Sequence, residues 1–217
     1  LCFPSWSVQD ADYVKAYRSV IDSLRVGTKY VVVHHDSIKT ELEAWFTTPG
    51  HKSEDVIYAG VPDYVSLTDW AEDAYVAIED AADGARYLMG PWEFKRAGDA
   101  LIAVAVEEFS DIKASQSPLI FQGGNCLIGN DFWLLGKDYF IDTIELLQGQ
   151  RPPVPIPDGE NPEDFARVLF NKFIDQKRKL ILVGTKKPIP LRDYVGTRAD
   201  VAFFLDIAGG GTGAFQP

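Results

Sequence analysis

The stretch FQGGNCLIGNDFWLLGKD, residues 121–138, places two glycines and an asparagine between two apolar runs. A tight reversal of the chain needs only one glycine at positive φ. The pair Gly123 and Gly124 therefore predicts that the backbone also runs close to another group at this point. That group is either a neighbouring strand or a small ligand, and the other segments of the chain must distinguish the two.

Composition predicts a soluble globular protein. The chain has 217 residues, 46% of them hydrophobic, enough for a core in one large domain or two small ones. Its net charge of −11 argues against binding to nucleic acid or anionic membranes, because phosphate binding requires clustered lysine and arginine. No apolar run reaches the roughly 20 residues of a spanning helix. Two cysteines in a chain of this length favour a reducing, cytoplasmic compartment.

Periodicity and turn residues predict alternating helices and strands. The predicted helices cover 8–25, 37–46, 137–149 and 163–176, and the predicted strands cover 29–35, 55–60, 74–78, 101–109, 119–121, 132–135, 179–184 and 201–209. Ser7 is the predicted N-cap of the first helix. This alternation lacks a long parallel series of Rossmann type and predicts mixed α/β sheets. The recurrence of strand, turn and helix suits a fold of repeated modules.

Other motifs give no cofactor or metal site. The histidines His34, His35 and His51 have no acidic or cysteine partners at ligand spacing. The segment GGGTGA, residues 209–214, fits a dinucleotide pattern, but only three residues follow it, so no helix is expected to hold a pyrophosphate. Cys126 has no positive neighbour that would lower its pKa. We expect neither a metal nor an organic cofactor.

The segment VSLTDWAEDAYVAIED, residues 65–80, is a candidate cation site. Trp70 and Asp73 have the i, i+3 spacing that can set an aromatic wall beside a carboxylate. A planar cation such as guanidinium uses both, since the carboxylate accepts two hydrogen bonds and the ring face attracts positive charge. The alternative is a solvated acidic loop with a packed tryptophan.

Together these stretches resemble the pentein superfamily, the guanidine-modifying enzymes that include agmatine deiminase, arginine deiminase and the protein-arginine deiminases. Trp70-Ala71-Glu72-Asp73 looks like the W-x-x-D element of the family, and Gln122-Gly123-Gly124-Asn125 is similar to its GG[ND] turn. The segment VAFFLDIAGG, residues 201–210, looks like the H-x-D segment, with Asp206 in the place of the aspartate. In a second register, Asp200 and Ala202 stand there instead. In either register the histidine is missing.

The resemblance implies a pentein-like α/β propeller of repeated strand-helix modules with mixed sheets, formed by a single domain over 1–217 that is incomplete at its C-terminus. It implies that Asp73 and Asp206 hold a guanidinium group, while Trp70, Asn125 and the backbone of Gly123 and Gly124 shape the pocket. The implied partner is a small cationic guanidino compound or an arginine side chain.

The family's catalytic set has no full counterpart in the sequence. The family uses a histidine and a C-terminal cysteine for deiminase or amidinotransferase-like chemistry, and neither has a counterpart here. The resemblance therefore implies either part of a guanidino-group hydrolase or a non-catalytic member of the superfamily. The alternative is a mixed α/β interaction protein, unrelated to guanidine chemistry, whose GGN is only a hairpin turn.

Overall fold

The computed structural model describes residues 1–47, 53–94 and 96–184. The chain divides into two compact units, one formed by residues 1–88 and 94–115 and the other by residues 89–93 and those from 116 onward. A single domain over 1–217 stays a prediction.

Helices and strands alternate along the described residues. The helices are α1 (Ala11–Ser23), α2 (Lys39–Trp45), α3 (Asp99–Phe109), α4 (Lys137–Leu147) and α5 (Pro162–Phe173). The strands are β1 (Cys2–Phe3), β2 (Tyr30–His35), β3 (Val56–Val61), β4 (Val76–Glu79), β5 (Arg86–Gly90), β6 (Lys113–Gln116), β7 (Cys126–Ile128), β8 (Phe132–Gly136) and β9 (Lys179–Val183). Short 3-10 helices are formed by Ser5–Val8, Asp36–Ile38, Ser53–Asp55, Ala71–Ala74 and Gly123–Asn125.

The described strands form three small sheets of three strands each, in the orders β1-β2-β3, β4-β5-β6 and β7-β8-β9. The first sheet is parallel. In the third, β7 and β8 are antiparallel while β8 and β9 are parallel. The predicted class, mixed α/β, is confirmed. None of these sheets closes into a barrel within the described part of the chain.

The first sheet is covered on both faces, which explains the unbroken apolar run of β2. Val32 packs in one cluster with Phe3 and with Ile21 of α1. Val33 packs in a second cluster with Ile102 of α3. Because successive side chains of a strand point to opposite faces, a strand buried on both faces carries apolar residues without alternation.

The third sheet is covered by α4 and α5. Helix α4 contacts α5, β8 and β9. Trp133 of β8 is buried, and its ring meets that of Phe170 in α5 edge to face, with centroids 5.5 Å apart. Asn161 caps α5 by accepting hydrogen bonds from two backbone N–H groups of its first turn, which are otherwise left without partners at a helix start.

Three sequence predictions were wrong. Residues 101–109 form most of α3 rather than a strand, because a short apolar run does not distinguish a buried helix from a buried strand. No strand forms over 119–121, and the strand of this region is β6. The cap of α1 is Asp10 instead of Ser7, whose buried hydroxyl donates to the Pro4 carbonyl.

Among the described residues, no helix combines the length and the apolar character that a bilayer crossing demands.

Candidate functional site

The W-x-x-D element folds into a tight turn in the first unit. Trp70 stands at the N-cap of the 3-10 helix Ala71–Ala74, and its carbonyl accepts a hydrogen bond of 3.1 Å from the Asp73 N–H. The Trp70 N–H donates to the Thr68 hydroxyl at 3.1 Å. The indole is 44% exposed, whereas Asp73 is 7% exposed. The turn therefore leaves an aromatic ring at the surface and takes a carboxylate inside.

A guanidinium group of the chain itself lies against the Asp73 carboxylate. Arg96 Nη2 donates to Asp73 Oδ2 at 3.0 Å, and Arg96 Nε donates to Asp99 Oδ2 at 2.8 Å. Asp99 is the first residue of α3. One planar cation thus joins two carboxylates, each through a charge-assisted hydrogen bond.

Close backbone packing places α3 beside the W-x-x-D element. A Cβ atom added at Gly98 would lie 1.6 Å from the Ser66 carbonyl oxygen, so only glycine allows this approach. Helix α3 also contacts the 3-10 helix Ala71–Ala74. The start of α3 is thereby held where Asp99 and Asp73 share Arg96.

The carboxylates of this cluster are buried, while the arginine reaches the surface. The exposed fractions of the side chains are 7% for Asp73, 4% for Asp99 and 37% for Arg96. Burial raises the pKa of Asp99, although the hydrogen bond from Arg96 opposes the rise. The pKa of Arg96 is raised as well, since the two carboxylates outweigh the effect of burial. The guanidinium therefore stays charged.

Asp99 keeps one acceptor atom unused. Its Oδ1 is buried and has no hydrogen-bond partner among the described residues. A buried carboxylate oxygen without a partner is costly. This oxygen indicates that Asp99 can accept a further hydrogen bond from a cation.

The GGN turn lies in the second unit. Gly123, Gly124 and Asn125 form a single 3-10 turn, and the Asn125 N–H donates to the Gln122 carbonyl at 2.9 Å. Neither glycine has a positive φ, so the expectation of positive φ at this reversal was wrong. A 3-10 turn uses ordinary helical dihedrals, which do not require glycine.

Asn125 is buried beside Gly136. Both side-chain atoms of Asn125, Oδ1 and Nδ2, lack partners among the described residues. A Cβ atom at Gly136 would lie 2.7 Å from Nδ2 and 2.9 Å from Oδ1. The glycine at the end of β8 thus leaves the space that the buried amide occupies.

Burial acts on both cysteines in the same direction. It raises the pKa of Cys2 to about 12, and it raises that of Cys126 to about 12. Cys126 Sγ donates to the Gln122 carbonyl at 3.4 Å. Since the thiolate is the attacking species, a raised pKa disfavours both thiols as nucleophiles at neutral pH.

Both described histidines are buried. His35 accepts a hydrogen bond at Nδ1 from the Ser5 N–H and uses Nε2 to donate to the Val65 carbonyl, both at 2.8 Å. His34 is buried, and its Nδ1 lies 2.8 Å from the His35 carbonyl oxygen. No cluster in the described ranges has the donors to hold a metal ion.

The predicted site residues are thus only partly located. Trp70 and Asp73 share one turn of the first unit, and Gly123, Gly124 and Asn125 share one turn of the second. Asp206 and His51 lie outside the described residues. That these groups converge on one ligand stays a prediction.

Sequence reasoning missed Arg96 and Asp99. A signal for them exists in Arg96-Ala97-Gly98-Asp99, an arginine and an aspartate three residues apart directly before an apolar run. An acidic residue at that position is typical of a helix start. The signal was lost because 101–109 was predicted as a strand.

Comparison with known proteins gives relatives by structure alone. No protein-family model and no curated protein matches the sequence. Agmatine deiminase of C. jejuni aligns with a TM-score of 0.51 and 11% identity over 83% of this chain and 48% of its own. A serine variant of that enzyme with substrate bound aligns with a TM-score of 0.52 and 12% identity, over 83% of this chain and 49% of its own. A candidate arginine deiminase from Porphyromonas gingivalis aligns with a TM-score of 0.53 and 13% identity, over 80% of this chain and 48% of its own.

The chain spans about half the length of each of these solved structures. At 11 to 13% identity the likeness shows the fold alone, and function does not follow from fold. The fold that the W-x-x-D and GGN elements predicted agrees with this structural likeness. The chain has a mixed α/β fold similar to that of the solved agmatine and arginine deiminase structures.

Proposed function

We propose that this chain recognises a guanidino group, either of a small cationic compound or of an arginine side chain, through the carboxylate of Asp73. The observation that carries the proposal is the guanidinium of Arg96, which lies 3.0 Å from Asp73 Oδ2 in a buried setting. A carboxylate removed from water binds a guanidinium more strongly than an exposed one does.

The likeness to agmatine deiminase supports the same class of ligand. In the proposal, the described sheets belong to an α/β propeller, and Trp70, in the same turn as Asp73, shapes the pocket. Trp70 would supply the face of its exposed ring to the cation.

Recognition, rather than hydrolysis, is the function that the described residues support. Hydrolysis of a guanidino group by a deiminase requires a thiolate and a proton carrier. The thiols of Cys2 and Cys126 have raised pKa values, and the ring nitrogens of His35 are engaged by backbone groups. We therefore propose that binding by these residues does not lead to turnover.

Calorimetry with agmatine, arginine and an arginine-containing peptide tests the proposal. We expect binding by the wild type and a loss of at least about tenfold in affinity for Asp73→Asn, because a hydrogen bond to a charged group contributes roughly 1.5 to 3 kcal/mol. Asp111→Asn is the matched control, since Asp111 pairs with Arg86 at the surface. Equal heats for wild type and Asp73→Asn would exclude Asp73 as the ligand residue. Release of ammonia or urea from these ligands by the wild type would contradict the proposal that binding does not lead to turnover.

A further inference from the structure

The Asp73 carboxylate is already occupied by a group of the proposed ligand's own chemistry. Arg96 presents two N–H donors of one guanidinium, Nη2 to Asp73 and Nε to Asp99. A free guanidino compound carries the same donors in the same plane. It can replace Arg96 only by taking the same two acceptors.

Exposure shows from which side such an exchange can occur. The two carboxylates are almost fully buried, while the side chain of Arg96 is 37% exposed. The arginine therefore lies between the carboxylates and solvent. Long arginine side chains reach the surface along their own stems, so a ligand that replaces Arg96 would approach from the solvent side.

The unpartnered oxygen of Asp99 indicates that this carboxylate can accept a second hydrogen bond. Arg96 uses Oδ2 of Asp99 and leaves Oδ1 buried without a partner among the described residues. A second nitrogen of a bound guanidinium would satisfy it in the two-pronged geometry that carboxylates favour.

We propose that Asp73 and Asp99 together form a guanidinium-binding site and that Arg96 occupies it as an internal competitor, which a guanidino ligand must displace. This inference rests on the proposed function for its ligand class, and it adds Asp99 and Arg96 to the site. An occupied site binds ligand with an affinity reduced by the fraction of molecules in which it is open. Removal of the competitor therefore tightens binding.

The test is calorimetry with methylguanidinium on the wild type, Arg96→Ala and the double variant Arg96→Ala/Asp99→Asn. We expect Arg96→Ala to bind at least about tenfold more tightly than wild type, since the open fraction rises from a minor population to unity. The double variant should lose this gain. Arg86→Ala, which removes an exposed arginine from Asp111, is the matched control and should leave affinity unchanged.

A second variant covers the case in which Arg96→Ala does not fold. Arg96→Lys keeps a positive charge but lacks the planar fork, so it cannot hold both carboxylates as arginine does. Its affinity for methylguanidinium should lie above that of wild type. Affinity at or below the wild-type value would overturn the proposal.

The outcomes separate this inference from the proposed function. If wild type binds in a manner that needs Asp73, and Arg96→Ala binds no more tightly, the inference fails while the proposed function stands. If the double variant binds as tightly as Arg96→Ala, Asp99 is not part of the site. If neither wild type nor any variant binds methylguanidinium or agmatine, both proposals fail.

Discussion

Replacement of Asp175 by Asn tests how the sheet that follows the GGN turn is held together. The Asp175 carboxylate accepts hydrogen bonds from Trp133 Nε1 at 2.8 Å, from Arg178 Nη1 at 2.6 Å and from the backbone N–H groups of Lys177 and Arg178. Arg178 Nε in turn donates to the Gly129 carbonyl at 2.9 Å. One carboxylate therefore connects β8, the segment before β9 and the turn between β7 and β8.

The size of the effect follows from the pKa. Burial acts to raise the pKa of Asp175, but the hydrogen bonds from Arg178, from the two backbone N–H groups and from Trp133 lower it from 3.8 to about 2. At about 1.4 kcal/mol for each pKa unit, this corresponds to roughly 2 kcal/mol. Arg178 is 37% exposed, and solvent screening reduces the figure to about 1 to 2 kcal/mol.

The sign of the pH dependence is fixed by the direction of the shift. Because the pKa of the folded state lies below that of the unfolded state, the contribution is fully present above pH 3.8. It decreases as the pH falls towards 2, and roughly half of it remains near pH 3. Asp175→Asn should therefore lower the free energy of unfolding by about 1 to 2 kcal/mol at pH 7 and by clearly less at pH 3.

Urea unfolding at pH 7 and at pH 3 measures both quantities, with the free energy of unfolding compared between variant and wild type at each pH. Asp111→Asn is the control, because that carboxylate also pairs with an arginine but its side chain is 77% exposed. The free energy of unfolding of Asp111→Asn should stay within about 0.5 kcal/mol of the wild-type value. An Asp175→Asn protein as stable as wild type at pH 7, or one with an equal loss at both pH values, would refute the reasoning.

Three further variants test other contacts by the same unfolding measurement. Arg96→Ala should cost about 1 to 3 kcal/mol at pH 7, because it removes the cation that two buried carboxylates share, although the 37% exposure of Arg96 screens both pairs; the loss should shrink at pH 5 because Asp99, whose pKa is already raised by burial, takes up a proton more readily without Arg96, and a loss that grows with acid would contradict this account. Gly98→Ala should lower the free energy of unfolding by about 1 to 3 kcal/mol, since its Cβ would overlap the Ser66 carbonyl. An unchanged stability would mean that the start of α3 does not lie this close to Ser66. Asn161→Ala should cost about 1 kcal/mol through loss of the α5 cap, and an unchanged midpoint would show that water replaces the cap.

Much of the local structure could be predicted from the sequence. The β-branched run that became β2, the helix of α4 and the capped helix α5 were confirmed within a few residues. These segments carry their own signals, namely a β-branched run for β2, apolar periodicity for the two helices and an asparagine cap for α5. Where the signal was ambiguous, as in the apolar run of α3, the prediction failed.

The candidate site was predictable only in part. The W-x-x-D and GGN elements pointed to Asp73 and Asn125 because each element is a short local pattern. Arg96 is 23 residues from Asp73 in the chain, and nothing in either segment records that they meet. The 3-10 conformation of the GGN turn was not predicted either, since a glycine pair is compatible with several turn types.

The sequence by itself determined the class of the fold, the order of most of its elements and the acidic, aromatic character of the turn at Trp70 and Asp73, because these depend on neighbours within a few residues. Only the tertiary structure decided that Asp73 and Asp99 share one guanidinium and that the pKa values of Cys2 and Cys126 are raised by desolvation. Both depend on how α3 and the sheets pack, as the glycine contact of Gly98 on Ser66 shows. Charge pairing and desolvation arise from distances between segments far apart in the chain, which a local pattern does not contain.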